Sequence, residues 1–382
     1  MRAEPKKKIF IHIGTPKTGT TALQAFFTSH TSALAKKNIV YPVSGRRRNQ
    51  HFYLAIPQSN NQKLVKKVWQ SLYDELDSTQ WNTAVISSER FSREDPMEVF
   101  NACKRFNADI HIVVFFRERK ALLSSHYRTA IKTGARVCCT ADAFIPFWFE
   151  RSDVFNYDAL IRRWRDPFGD DNVHVLSYDQ VVENNNSASA FLTVMDENGV
   201  PCSLFSEEEL GLRVHETQPD VTLDLLLRTN QLHYGDFPYW KVIRDLFSMS
   251  DELNTDTRLT TSSMQITDEG LCLLEEKMSE LGIKFLSYFS SEAQAIYNFN
   301  QAKTVERKVI SDSERIDIQL ELLNSLSGPI KKALLEKTKL TFDELVNVEI
   351  KTTQLEHYKV LFKRDHKQLM QRLEQDTFNM KK

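Results

Sequence analysis

Gly14, Lys17, Thr18, Gly19, Thr20 and Thr21 crowd one short stretch near the start of the chain, IFIHIGTPKTGTTALQAFF (9–27). An apolar, β-branched run precedes them. Ala22, Leu23, Phe26 and Phe27 follow at core-facing helical spacing. Strand, tight turn and helix are therefore expected. A helix start aims its free N–H groups and the positive end of its dipole at the turn. With threonine hydroxyls and a lysine beside it, such a turn is an anion cradle. The phosphate loop of ATPases and kinases reads GxxxxGK[ST], with lysine directly after the second glycine. Gly14 and Gly19 keep that spacing, but Thr20 follows Gly19 and the lysine, Lys17, lies inside the loop.

The elements around the loop repeat its pattern. TAVISSERF (83–91) reads as a buried strand ending in Ser-Ser-Glu. In DIHIVVFFRERKALLSSHYRTAIKTG (109–134) a strand runs through Phe116, turns at Arg117 and becomes a helix that Gly134 would cap. NVHVLSYDQV (172–181) reads as a fourth strand, followed by a helix over 187–198. NIVYP is a short strand, 64–76 an amphipathic helix, and 19–36 one continuous helix. Strands alternating with helices imply a parallel sheet covered on both faces. Ligands of such sheets bind beyond the strands' C-terminal ends. That rule gathers the Gly14 loop, residues 87–89, Arg117 and Tyr178 at one edge. From Val221 onward only helical patterns are legible, with 285–299 closing the core. Beyond 301 the chain becomes charge-rich and leucine-patterned, broken at Gly328–Pro329. The expected division is a catalytic domain over 1–300 and a helical C-terminal appendage over 301–382.

TPKTGTTAL resembles the 5′-phosphosulfate loop of the sulfotransferases, PKxGTTxL. These enzymes use 3′-phosphoadenosine 5′-phosphosulfate (PAPS) as sulfuryl donor and release PAP. The family's second signature is an arginine at a strand end with a serine eight residues on; RERKALLSSHY places Arg117 and Ser125 so, with Tyr127 following. A third block ends a strand near Tyr-Glu-Asp; VHVLSYD places Tyr178 there, with Asp179 for Glu. The layout is also similar to bacterial sulfotransferases with a YP.SGR…H segment after the loop and ISSE after the next strand. The resemblance covers roughly residues 8–300. It implies a P-loop-like α/β fold and places the donor on Thr15, Lys17, Thr18, Gly19, Thr20 and Thr21. It puts the 3′-phosphate on Arg117 and Ser125, with Tyr178 near. Arg213, in LGLRVHETQ, lies where relatives place a late basic segment, though His215 stands where many have asparagine. A sulfuryl group carries less negative charge than a phosphoryl group, so lysine and backbone N–H groups suffice and no metal is expected.

Transfer to a hydroxyl needs a base near Lys17. His51, in RRRNQHFYLA, and Glu89, ending AVISSE, are both candidates. GRRR (45–48) is either a solvated basic turn or a site for acidic groups on the acceptor. The acceptor is expected to be a carbohydrate, as glycan or glycolipid, recognised by loops at 43–62 and 134–155.

Composition is that of a globular chain of 382 residues: 41% hydrophobic, 26% charged, formal net charge -1. Such a balance offers no general field for nucleic acid. No apolar run reaches the roughly 20 residues of a membrane helix. The cysteines at 103, 138, 139, 202 and 272 form no CxxC pair, which fits a reducing, cytoplasmic setting. Self-association through the C-terminal helices is a further expectation. Two rival readings stand beside the transferase: a nucleotide-dependent kinase, and a catalytically silent nucleotide-binding regulator.

Overall fold

The structure is a computed structural model. It describes residues 6–55, 58–132, 137–149, 156–184, 187–201, 205, 218–232, 239–253, 255–280 and 307–350. The chain divides into two compact units. The first takes Met1–Arg119, Val154–Glu216 and Ile283–Ala302, and the second Lys120–Asp153, Thr217–Gly282 and Lys303–Lys382. This division runs differently from a cut at residue 300.

The first unit is built on five parallel strands: β1 (Lys8–His12), β2 (Ile39–Val40), β3 (Thr83–Ser87), β4 (Asp109–Phe116) and β5 (Val173–Ser177), in the order β2-β3-β1-β4-β5. β1 pairs Phe10 with Val85 of β3 and with His111 of β4. The helices in chain order are α1 (Thr20–Ser29), α2 (Thr31–Ala35), α3 (Gln58–Ser78), α4 (Pro96–Cys103), α5 (Arg119–Lys132), α6 (Ala141–Phe149), α7 (Tyr157–Phe168), α8 (Tyr178–Asn184) and α9 (Ser187–Glu197). α1 packs on α9, and α7 on β4 and β5. Phe10, Val85, Val113 and Phe115 share one core with Leu23, Phe27 and Phe191. The alternate strand residues Ile9, Ile11, Ile86, Ile112 and Val114 are buried too, as a sheet covered on both faces requires. Central β1 thus ends, at His12, between β3 and β4.

Several boundaries differ from the sequence expectation for local reasons. The helix expected over 19–36 is broken at His30, whose φ is -101°. Around the break the hydroxyls of Thr28, Ser29 and Thr31 donate back to the carbonyls of Gln24, Ala25 and Phe27, a pattern that loosens helices. β5 stops at Ser177, whose Oγ accepts the N–H of Gln180 at 3.4 Å, so Tyr178 opens a helix instead of extending the strand.

In the second unit α5 (from Lys120) and α6 are joined by six later elements. These are α10 (Asp220–Asn230), α11 (Tyr239–Glu252), α12 (Asp268–Glu280), α13 (Asp312–Ser325), α14 (Gly328–Thr338) and α15 (Phe342–Val346). All of α10 is buried. Its carboxylates are saturated with partners. Asp220 takes Arg128 in a two-point fork (2.7 and 2.9 Å), Arg307 at 2.9 Å and the Thr260 hydroxyl at 2.7 Å. Asp224 takes Arg228, Thr261 and Gln319. The purely helical reading after Val221 is corrected here. Leu259–Thr260 and Lys308–Val309 pair as a small parallel ladder, too short for any periodicity to reveal. Apart from Lys308–Val309, the regular elements in the described part of the expected C-terminal appendage are helices, and α13 lays Gln319, Leu322 and Leu323 into this unit's interior. Gly328–Pro329 opens α14, where proline suits the first turn. The expected closing helix at 285–299 lies outside the described residues. Among those residues, no helix is long and apolar enough to cross a membrane.

Candidate active site

Beyond the end of β1 the chain turns sharply. Gly14 (φ 73°), Lys17 (φ 69°) and Gly19 (φ 70°) all adopt the left-handed conformation. Glycine is required twice. A Cβ on Gly14 would lie 2.4 Å from Cα of Glu89, and one on Gly19 would lie 2.7 Å from the Tyr178 ring. The loop is thus pressed between the ends of β3 and β5. Lysine has no such licence, and its left-handed backbone costs on the order of 1–3 kcal/mol. Strain of that size persists only where the surroundings impose it.

The loop's threonines divide into two kinds. Thr15 and Thr18 turn inward: Thr15 Oγ1 donates to the Phe115 carbonyl (2.9 Å) and Thr18 Oγ1 to the Thr15 carbonyl (2.6 Å), both buried. They pin the loop to β4 and shape it. Thr20 opens α1 and donates to Glu89 Oε2 at 3.3 Å; Thr21 is exposed. No side chain caps the first turn of α1, so its N–H groups are offered to whatever anion sits there.

Arg117 follows β4 directly. Its Nη1 donates to the carbonyl of Lys17 at 3.2 Å, its guanidinium lies 5.3 Å from the Tyr178 ring, and Asp179 Oδ1 stands 3.8 Å from its Nε. The other oxygen of Asp179 accepts the Glu118 N–H at 2.5 Å, and the Tyr157 hydroxyl holds the Arg117 carbonyl at 2.8 Å. Lys17, Thr20, Glu89, Arg117 and Tyr178 therefore share one edge of the sheet, as the strand-end rule requires.

His51 is placed differently. It is fully buried, and both ring nitrogens are used: Nδ1 accepts the Ser87 N–H (3.1 Å) and Nε2 donates to the Pro42 carbonyl (2.9 Å). Burial pushes its pKa down to about 3. This neutral imidazole clamps the loop before it to β3. Glu89, by contrast, is half-buried at the loop itself. Ser125 stands on α5 within the second unit, so sequence spacing alone relates it to Arg117. Arg213 lies outside the described residues.

Two supporting residues, His12 and Gln24, escaped the sequence reading. His12, at the end of β1, is buried, and burial lowers its pKa to about 3. Its Nδ1 meets Ser87 Oγ at 2.8 Å, and Gln24 of α1 donates to the same oxygen at 3.2 Å. Together they tie α1, β1 and β3 beneath the loop. A polar residue inside an apolar strand was the available signal.

No family model and no curated protein matches the chain. Among solved structures, a sulfotransferase from Alicyclobacillus acidocaldarius aligns over 66% of this chain and 97% of its own, at 15% identity and a TM-score of 0.35. The sulfotransferase domain from the curacin biosynthetic pathway aligns over 66% and 98%, at 14% identity and a TM-score of 0.34. Likeness at this level leaves the assignment to the chain's own residues.

Proposed function

We propose that this chain is a sulfotransferase that moves a sulfuryl group from PAPS to a hydroxyl of a carbohydrate, releasing PAP. The observation that carries the reading is the loop. Its lysine sits inside the turn, in a strained left-handed conformation, with the uncapped start of α1 on one side and Glu89 on the other. The residues present fit the donor: main-chain N–H groups from Lys17 to Thr21 suit its 5′ phosphosulfate, and Arg117, with Tyr178 beside it, suits a second phosphate. Ser125 and Arg213 are assigned to that phosphate by motif.

PAPS supplies a sulfuryl group already activated as a mixed anhydride. The chain's residues then divide the work. The Lys17 ammonium meets the negative charge that grows on the bridging oxygen as its bond to sulfur breaks. That contribution is larger in the transition state than in the ground state. Glu89 takes the proton of the acceptor hydroxyl as the new O–S bond forms. His51 is a positioning residue in this account, because neither of its nitrogens is offered to a substrate. A kinase keeps its lysine directly after the second loop glycine, where this chain has Thr20, and the hydroxyl of Thr18, which follows Lys17, is given to the Thr15 carbonyl at 2.6 Å. The test is turnover with PAPS and a carbohydrate panel in excess EDTA. Transfer should persist. Activity that instead requires ATP and Mg²⁺ would establish the kinase.

A further inference from the structure

By resemblance Thr20 belongs to the donor, yet its hydroxyl is turned to Glu89. Thr20 is buried at the first position of α1, and its Oγ1 donates to Glu89 Oε2 at 3.3 Å. Among the described residues, Glu89 Oε1 meets no hydrogen-bond donor. Arg90, next in sequence, gives its Nε to the Ala55 carbonyl at 3.3 Å and lays its guanidinium 4.6 Å from the Phe52 ring centre. The Glu89 carboxylate is thus held by one oxygen and offers the other.

The main chain on both sides of this bond is fixed. Gly14 brings the loop so close that a Cβ there would lie 2.4 Å from Glu89 Cα. The Ser92 hydroxyl donates to the Glu89 carbonyl at 2.8 Å, and Arg163 Nη2 to the Ser92 carbonyl at 2.6 Å. Thr20 itself belongs to the uncapped first turn of α1, whose N–H groups suit the donor anion. One residue therefore serves both partners of the reaction, with its main chain toward the donor and its hydroxyl on the base. A glutamate side chain has three rotatable bonds, and an anchor at Oε2 removes freedom that the reacting group would otherwise lose in the transition state.

We propose that Thr20 is the positioning residue of the base: its hydroxyl fixes Glu89 through Oε2, and Oε1 takes the acceptor's proton. The acceptor oxygen bonds to sulfur as the bond from sulfur to the bridging oxygen of PAP breaks. This rests on the sulfotransferase reading and deepens it. The test compares wild type, Thr20→Val, Thr20→Ser, Glu89→Ala and the Thr20→Val/Glu89→Ala double variant. Valine keeps the shape of threonine without the hydroxyl; serine keeps the hydroxyl. Three quantities are measured: transfer from PAPS to the best acceptor of a carbohydrate panel, PAP binding by calorimetry, and denaturant unfolding without ligand. Thr20→Val should lower kcat about 10- to 100-fold, with acceptor KM and PAP affinity within about twofold of wild type. Thr20→Ser should keep kcat within about threefold. In the Glu89→Ala background Thr20→Val should change the remaining rate by less than about twofold, since its target is gone. In unfolding, the folding constant of the double variant should exceed the product expected from the single variants by about 3- to 10-fold, because one hydrogen bond is lost only once. Where Glu89→Ala has no measurable rate, this unfolding cycle decides. An equal fall in kcat in both backgrounds, a loss of PAP affinity that matches the loss of kcat, or additive unfolding overturns the proposal. Failure of the wild type to bind PAP counts against the sulfotransferase reading instead, and the unfolding cycle still tests the Thr20–Glu89 bond.

Discussion

On the proposed reading Lys17 and Glu89 carry the chemistry, and each has a signature. Lys17→Ala should lower kcat by about 10²–10³, the scale of one preorganised donor. PAP affinity should fall far less, because the loop N–H groups and Arg117 remain. Alanine keeps the strain at φ 69°, whereas glycine relieves it. Lys17→Gly should therefore be equally slow yet more stable than Lys17→Ala in thermal melts; the reverse order would mean that the backbone is not strained. Glu89→Gln should cost about 10²–10⁴ in rate with PAP binding intact. His51→Ala should act mainly through stability, lowering the melting temperature as the clamp between Pro42 and Ser87 is lost. If His51→Ala is inactive at full stability while Glu89→Gln turns over normally, the base is His51. The types and spacing of these residues were legible in the sequence. The choice between them was not, because a histidine between RRRNQ and FYLA reads as a loop residue whether it is solvated or buried.

The element that organises the site is the turn from β1 into α1, wedged against the residues after β3. Gly14→Ala should fail on two counts, its positive φ and a Cβ that would run into Glu89 main chain. We expect a loss of more than about 1 kcal/mol in denaturant unfolding, together with loss of turnover as Glu89 is displaced. Full activity in Gly14→Ala would show that the contact is dispensable. β1, β3, β4 and β5 were all readable, since buried parallel strands are continuous apolar runs. The small ladder between Leu259–Thr260 and Lys308–Val309 was not, because its two pairs carry no period and its partners lie far apart in sequence. Nor was the polar layer of His12, Ser87 and Gln24, whose members come from three elements. α10 shows the same limit: Asp220 and Asp224 look like surface charges until Arg128, Arg307 and Gln319 are brought to them by the fold. Asp220→Ala should cost about 3–5 kcal/mol, the scale for stranding the partners of a buried ion pair. An unchanged denaturation midpoint would contradict that network.

At the scale of the molecule, buried imidazoles set the response to acid. His12 and His51 have folded pKa values near 3 against 6.5 for a free histidine. The unfolded chain therefore binds more protons between those values. Stability is full above pH 6.5 and is lost as pH falls toward 3, by about 1.4 kcal/mol per pH unit for each proton. Glu94, raised to about 7 by burial, works in the opposite sense between its free value of 4.5 and 7. It offsets one histidine and leaves the net slope positive, so the melting temperature should decline from pH 6.5 to 5. A flat profile would show that the two histidines are not buried as neutral rings. The central claim concerns the donor, and the direct measurement is calorimetric titration of the protein with PAP and with ADP, both without Mg²⁺. The site described here predicts that PAP binds at least about tenfold more tightly, since only PAP carries the 3′-phosphate assigned to Arg117. Equal affinities, or binding of ADP alone, would contradict the assignment of this chain as a PAPS-dependent sulfotransferase.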